Sequence, residues 1–138
     1  GVLNLANECY ACHPGFRTDC QRDVHAARGM LCVDCHTSMA AVGSRDRRPW
    51  VDMPKCGDCH NRPGFQYEQP NTLYRNSVGH SGVACSTCHG SPHAIGPAVT
   101  DTDNVQAARV QGHPGTIDTC TVCHTSRPGE GFFHRRGE

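Results

Sequence analysis

The sequence predicts a mostly irregular chain with a few short α-helices and little or no β-sheet, wrapped around something other than its own side chains. Three observations carry this. Only 36% of the 138 residues are hydrophobic and 6% aromatic, enough for a thin side-chain core. Glycine and proline supply 15 and 9 residues and break up any long periodic element. The pentapeptide C-x-x-C-H occurs five times, starting at residues 9, 32, 56, 85 and 120. By length the chain is a single domain, residues 1–138.

Taken in order, QRDVHAARGMLCVDCH (21–36) reads as helical up to Gly29. TDTDNVQAARVQGH (100–113) has cap candidates in Thr102 and Asp103, helix formers in its middle and Gly112 as a stop. RDRRPW, NRPGF and GSPHAIGP are turn-rich loops. The clips should each sit on a short helical turn, and strand signals are nearly absent. Clip spacings of 23, 24, 29 and 35 residues, read from those start positions, give a repeated chemical unit without strict structural repetition.

C-x-x-C-H is the attachment site of c-type haem. The two thiols add to the porphyrin vinyl groups, and the adjoining histidine is placed under the iron. The thioether cysteines are Cys9 and Cys12, Cys32 and Cys35, Cys56 and Cys59, Cys85 and Cys88, and Cys120 and Cys123; the proximal ligands are His13, His36, His60, His89 and His124. Zinc ribbons also use paired C-x-x-C, but zinc does not require histidine after every second cysteine. Disulfide scaffolding is weaker still, because adjacent C-x-x-C pairs rarely make long-range staples. Five haem c groups would supply the missing apolar mass, so the fold is expected to form around a haem stack and to be lost without it.

Five histidines remain: His25, His80, His93, His113 and His134. A lone spare histidine is usually a surface residue; five beside five clips read as the distal ligands. His80 and His93 flank the fourth clip, whose iron has His89, so at least one of them should serve another haem. Bis-His iron has no open position and passes electrons at low potential. Met30, Met39 and Met53 read as packing residues, since a methionine ligand would raise the potential. Cys20 is left over from the clips and reads as an intermolecular or reactive thiol, or as an inert buried one.

The formal net charge is zero. Haem propionates, offset by ferric cores, would make the holoprotein acidic by about five charges. That composition and the lack of an aromatic-studded basic patch exclude nucleic acid as a partner. Arginine outnumbers lysine twelve to one, which suits bidentate pairing with propionates, although genome composition can produce the same bias. Haem is attached outside the cytoplasmic membrane, so the chain is expected to be exported, with Gly1 a mature N-terminus after cleavage. Without a cysteine at position 1 no lipoprotein anchor is expected, and no apolar run reaches membrane-spanning length.

Segments VHAARGMLCVDCH, PKCGDCHNRPGF, YRNSVGHSGVACSTCHGSPHAIGP, QGHPGTIDTCTVCH and FFHRR resemble the OmcE-type multihaem cytochromes. The resemblance implies polymerisation into extracellular cytochrome filaments, or nanowires, with stacked haems and one distal histidine given by the adjacent subunit. The filament members with these motifs carry four haems, whereas this chain has five clips.

Three functions compete: a self-assembling conduit carrying electrons to an extracellular acceptor, a monomeric periplasmic shuttle docking on redox partner proteins, and a multihaem enzyme. The enzyme needs a five-coordinate iron and a walled pocket, which five clips and five spare ligands do not provide, so no catalytic residue is assigned. If a ligand crosses between subunits, His25 and His134 are favoured by their closeness to the chain ends. His134 has Phe132 and Phe133 beside it to pack on a neighbour.

Overall fold

Polypeptide of this composition cannot hold long elements, and the computed structural model has few. It describes residues 9–11, 13, 20–129 and 134; Gly1, Cys12, Phe132 and Phe133 lie outside the described residues. Five short helices occur among them: α1 Val24–Ala27, α2 Cys32–His36, α3 Met39–Val42, α4 Cys85–His89 and α5 Asp101–Gln111. Single 3-10 turns include Cys9–Ala11, Cys56–Asp58 and Cys120–Val122. The second and fourth clips are thus α-helical, and the other three form 3-10 turns. The mostly irregular fold class expected from composition is the one observed.

Local chemistry sets the helix ends. Asp23 accepts from Ala26 N at 3.0 Å to cap α1, and Ser38 does the same for α3 through Ala41 N at 3.1 Å. Leu31 N donates to Asp34 at 2.7 Å, which starts α2. Gly29 at φ +82° lies two residues beyond α1, and Gly112 at φ +86° ends α5. α5 begins at Asp101, after Thr100, earlier than Thr102 or Asp103 as caps would place it. The reason is Asn104, whose amide holds Ala98 N and Ala98 O, both at 2.8 Å, and so turns the chain before the helix.

The only sheet among the described residues is an antiparallel pair, β1 Val78–Gly79 and β2 Val83–Ala84, in register Val78 to Ala84 and Gly79 to Val83. Ser81 and Gly82 adopt φ of +57° and +86° in its turn. His80 is thereby displayed at the hairpin tip.

Among the described residues no hydrophobic side chain is buried; Asp23 and Ser77, at 3% and 1% exposure, are the buried ones. The chain exposes 10206 Å², against roughly 7000 Å² for a compact protein of this length. Backbone bonds between distant segments take the place of a core. Arg22 N donates to His93 O at 2.7 Å, Val24 N to Ile95 O at 2.9 Å and Val99 N to Arg22 O at 2.8 Å. Arg22 also forms a two-point pair with Asp103 on α5, at 2.6 and 3.2 Å. No helix among the described residues is long and apolar enough to cross a membrane.

Candidate metal centres

Each clip folds so that its histidine closes a turn on its first cysteine. The histidine N–H donates to the first cysteine's carbonyl: His13 to Cys9 at 2.8 Å, His60 to Cys56 at 2.8 Å and His124 to Cys120 at 2.9 Å. Both side-chain thiols and the imidazole of each fully described clip are thereby held on a single turn. No disulfide joins two of the described cysteines.

Consecutive clips are neighbours in space. Burial pushes the Cys32 thiol up, and the nearby Cys9 pushes it further. Burial and then Cys59 raise Cys35. Cys56 is raised by burial and Glu68, with Cys85 adding to it, and Cys88 by burial and then Cys123. First clip meets second, second meets third, third meets fourth and fourth meets fifth. The spatial order is the chain order.

The spare histidines stand opposite clip histidines taken from other segments. His36 faces His93 with ring centres 6.2 Å apart. His60 faces His25 at 6.1 Å, His89 faces His134 at 5.8 Å, and His124 faces His80 at 6.0 Å. A metal bound at about 2.0–2.1 Å by one nitrogen of each ring places two opposed imidazole centres about 6 Å apart. The donor set fits an iron held between two imidazoles. Among the described residues no three or more of His, Cys, Asp and Glu gather as a cluster, so the donors come as opposed pairs, unlike a zinc ribbon. Neither His80 nor His93, which flank the fourth clip, faces that clip's own His89.

His13 and His113 complete the count, and among the described residues neither faces another imidazole. His113 Nδ1 lies 2.9 Å from Pro114 O and its Nε2 3.2 Å from Asp118. Gln111, at the end of α5, holds this loop through Thr116 O, at 3.2 Å, and Asp118 N, at 3.1 Å. His25 and His134, expected as links between subunits, both face imidazoles of their own chain.

Hydrogen bonds orient the rings. A carboxylate or carbonyl oxygen can only accept, so His25 Nδ1 donates to Asp23 at 2.5 Å and His134 Nδ1 to Gln66 O at 3.0 Å. In each case Nε2 is the nitrogen that could ligate a metal. Gln66 N returns a bond to His134 O at 2.7 Å, so His134 is clamped at two points. Thr116 Oγ1 stands 3.4 Å from His89 Nδ1, and Cys20 Sγ 3.5 Å from His93 Nδ1. Burial first, then His93, Arg47 and His13, lowers the His36 pKa; burial, His134 and His60 lower that of His89. Neutral imidazole is the ligating form, so both shifts favour binding.

Sequence reading missed Asp23, Gln66, Thr116 and Tyr67. Tyr67 lies between two sites, 5.6 Å from the His60 ring and stacked 5.1 Å from that of His134. Asp23 two residues before His25 carried a readable signal; the others are brought in from distant segments. An open hollow of about 460 Å³ beside the fifth clip is lined by Asp118, Thr119, Cys120, Thr121 and Arg127.

The model of cytochrome c7 and related cytochrome c matches residues 50–125, more than half of the 138. This chain belongs to that family. Cytochromes of the c7 family are electron carriers with covalently attached haem c that work outside the cytoplasm, and this c7-type chain is a multihaem electron-transfer protein. The matched span contains the third, fourth and fifth clips, and the first two precede it. No curated protein and no solved structure matched the chain.

Proposed function

We propose that this cytochrome binds five haem c groups through its five clips and conducts electrons along them in chain order, as the repeating subunit of an extracellular filament. The observation that carries the reading is the set of four opposed imidazole pairs at 5.8–6.2 Å. In this reading His36 with His93, His60 with His25, His89 with His134 and His124 with His80 are axial ligands. The clip cysteines named above, Cys12 included, make the thioethers. Bound haem supplies a one-electron Fe(III)/Fe(II) couple. The chain's part is to close both axial positions, exclude substrate from the iron and hold successive clips together. Arg28, Arg45, Arg47, Arg75 and Arg109 make no ion pair among the described residues and are available to propionates.

Two histidines left over support the filament. His13 and His113 are two imidazole donors that, among the described residues, face no other imidazole, so in this reading His113 of one subunit completes the His13 iron of the next. This replaces His25 and His134 as the bridge. His113 suits the part, because it lies on an exposed loop with Nδ1 2.9 Å from Pro114 O, and Nε2 has only to exchange its surface contact with Asp118, at 3.2 Å, for the iron. The family match is equally compatible with a periplasmic shuttle, and the resemblance to OmcE-type cytochromes favours the polymer.

The test is negative-stain microscopy with spectroscopy of wild-type and His113→Ala holoproteins. Wild type should assemble with all iron low-spin. The variant should remain monomeric, with one high-spin haem that binds carbon monoxide. Filaments of normal length from His113→Ala would exclude His113 as the bridge. A wild-type monomer that is fully six-coordinate would favour the shuttle.

A further inference from the structure

The four paired sites do not treat their distal ligands alike. His134 Nδ1 donates to a neutral carbonyl at 3.0 Å, and His93 Nδ1 faces the Cys20 thiol at 3.5 Å. His25 Nδ1, in contrast to both, stands on a carboxylate, that of Asp23, at 2.5 Å. That carboxylate is 3% exposed, and its other contacts are Ala26 N at 3.0 Å and Gln21 Nε2 at 3.5 Å. The adjacent cation, Arg22, is engaged with Asp103 instead. A buried carboxylate therefore bears on one imidazole.

We propose that Asp23 is a positioning residue that lowers the reduction potential of the iron centre between His25 and His60. It rests on the pairing of His25 with His60 proposed above. Two effects act in the same direction. A strong acceptor on Nδ1–H makes Nε2 a better electron donor and fixes the ring. A negative charge out of water favours Fe(III) over Fe(II), which differ by one electron and no proton. The site lies at the third of five clips, in the middle of the row. Asp23 thus places an energetic step inside the conduit rather than at either end, and electrons cross it from clip two to clip four.

The experiment is spectroelectrochemical titration of intact holoprotein, with low-spin EPR, on wild type, Asp23→Ser, Asp23→Asn and His25→Met. Serine caps α1 as aspartate does but offers His25 a neutral acceptor, so the helix end is kept and the charge is removed. Both Asp23 variants should move one centre toward reduction by about tenfold, ~59 mV for a one-electron couple, and change its EPR signal alone. His25→Met should raise that same centre further, which identifies it. If Asp23→Ser and Asp23→Asn titrate like wild type while His25→Met shifts one centre, Asp23 only caps the helix and the proposal is overturned with the pairing intact. If His25→Met leaves every potential in place, the pairing itself is wrong and the proposal falls with it.

Discussion

Single polar residues hold this protein where a core would hold another. Ser77, 1% exposed, donates to Leu73 O at 3.0 Å, while its carbonyl accepts from Cys85 N at 3.1 Å. Its loss would loosen the start of the fourth clip. Arg22 and Asp103 join the first third of the chain to α5. The Arg22 guanidinium, with Thr100 second, holds the Asp103 carboxyl below the usual range despite burial. The sign follows: a carboxylate with a depressed folded pKa stabilises above its unfolded value, about 3.9, and loses that contribution as pH falls through the lower folded one. Wild type should lose stability below about pH 4, and Asp103→Asn should flatten that acid limb and lower the melting temperature at pH 7. An unchanged acid limb in the variant would assign the loss to other carboxylates.

At the scale of elements, the loops that carry the spare histidines pack backbone to backbone. A Cβ built on Gly96 would lie 2.9 Å from the Gly115 backbone, so the His93 loop and the His113 loop approach this closely because residue 96 is glycine. Gly96→Ala must push them apart, at a cost of about 1–3 kcal/mol. Differential scanning calorimetry should show a lower melting temperature, and the low-spin signal of the His93 site should broaden. A neutral Gly96→Ala would mean that the two loops do not pack this way. Sequence spacing had marked Gly112 as the end of α5, and its left-handed φ agrees. It had not located the helix start, because Asn104 acts through Ala98, outside the helix.

For the whole molecule, the absence of a buried apolar side chain among the described residues means that cofactor and fold stand together. In the reading proposed here, porphyrin rings are the apolar mass on which the segments close. Chain carrying Cys→Ala at all clip positions should be unfolded, with a featureless amide spectrum. Cys85→Ala with Cys88→Ala should lose one haem and destabilise distant parts as well. The fourth clip is tied to remote segments by Ile117 N on Cys88 O at 3.0 Å, and Gly90 O accepts from Tyr74 at 2.7 Å. A cooperative native transition in the haem-free chain, followed by circular dichroism, would contradict this.

Sequence alone determined the chemistry: five C-x-x-C-H clips and five further histidines define donor types, and low hydrophobicity with abundant glycine and proline defines an irregular chain. Those are local properties, set by residues within a turn of one another. Which histidine faces which was decided only by tertiary structure, since His25 and His60 are brought opposite by a chain path through loops with no periodicity to read. The same path left His13 and His113 apart, although the matched count had implied a partner for every clip. Asp23 shows the boundary between the two: its place beside His25 is in the sequence, but its burial, and hence the force of its charge, belongs to the fold.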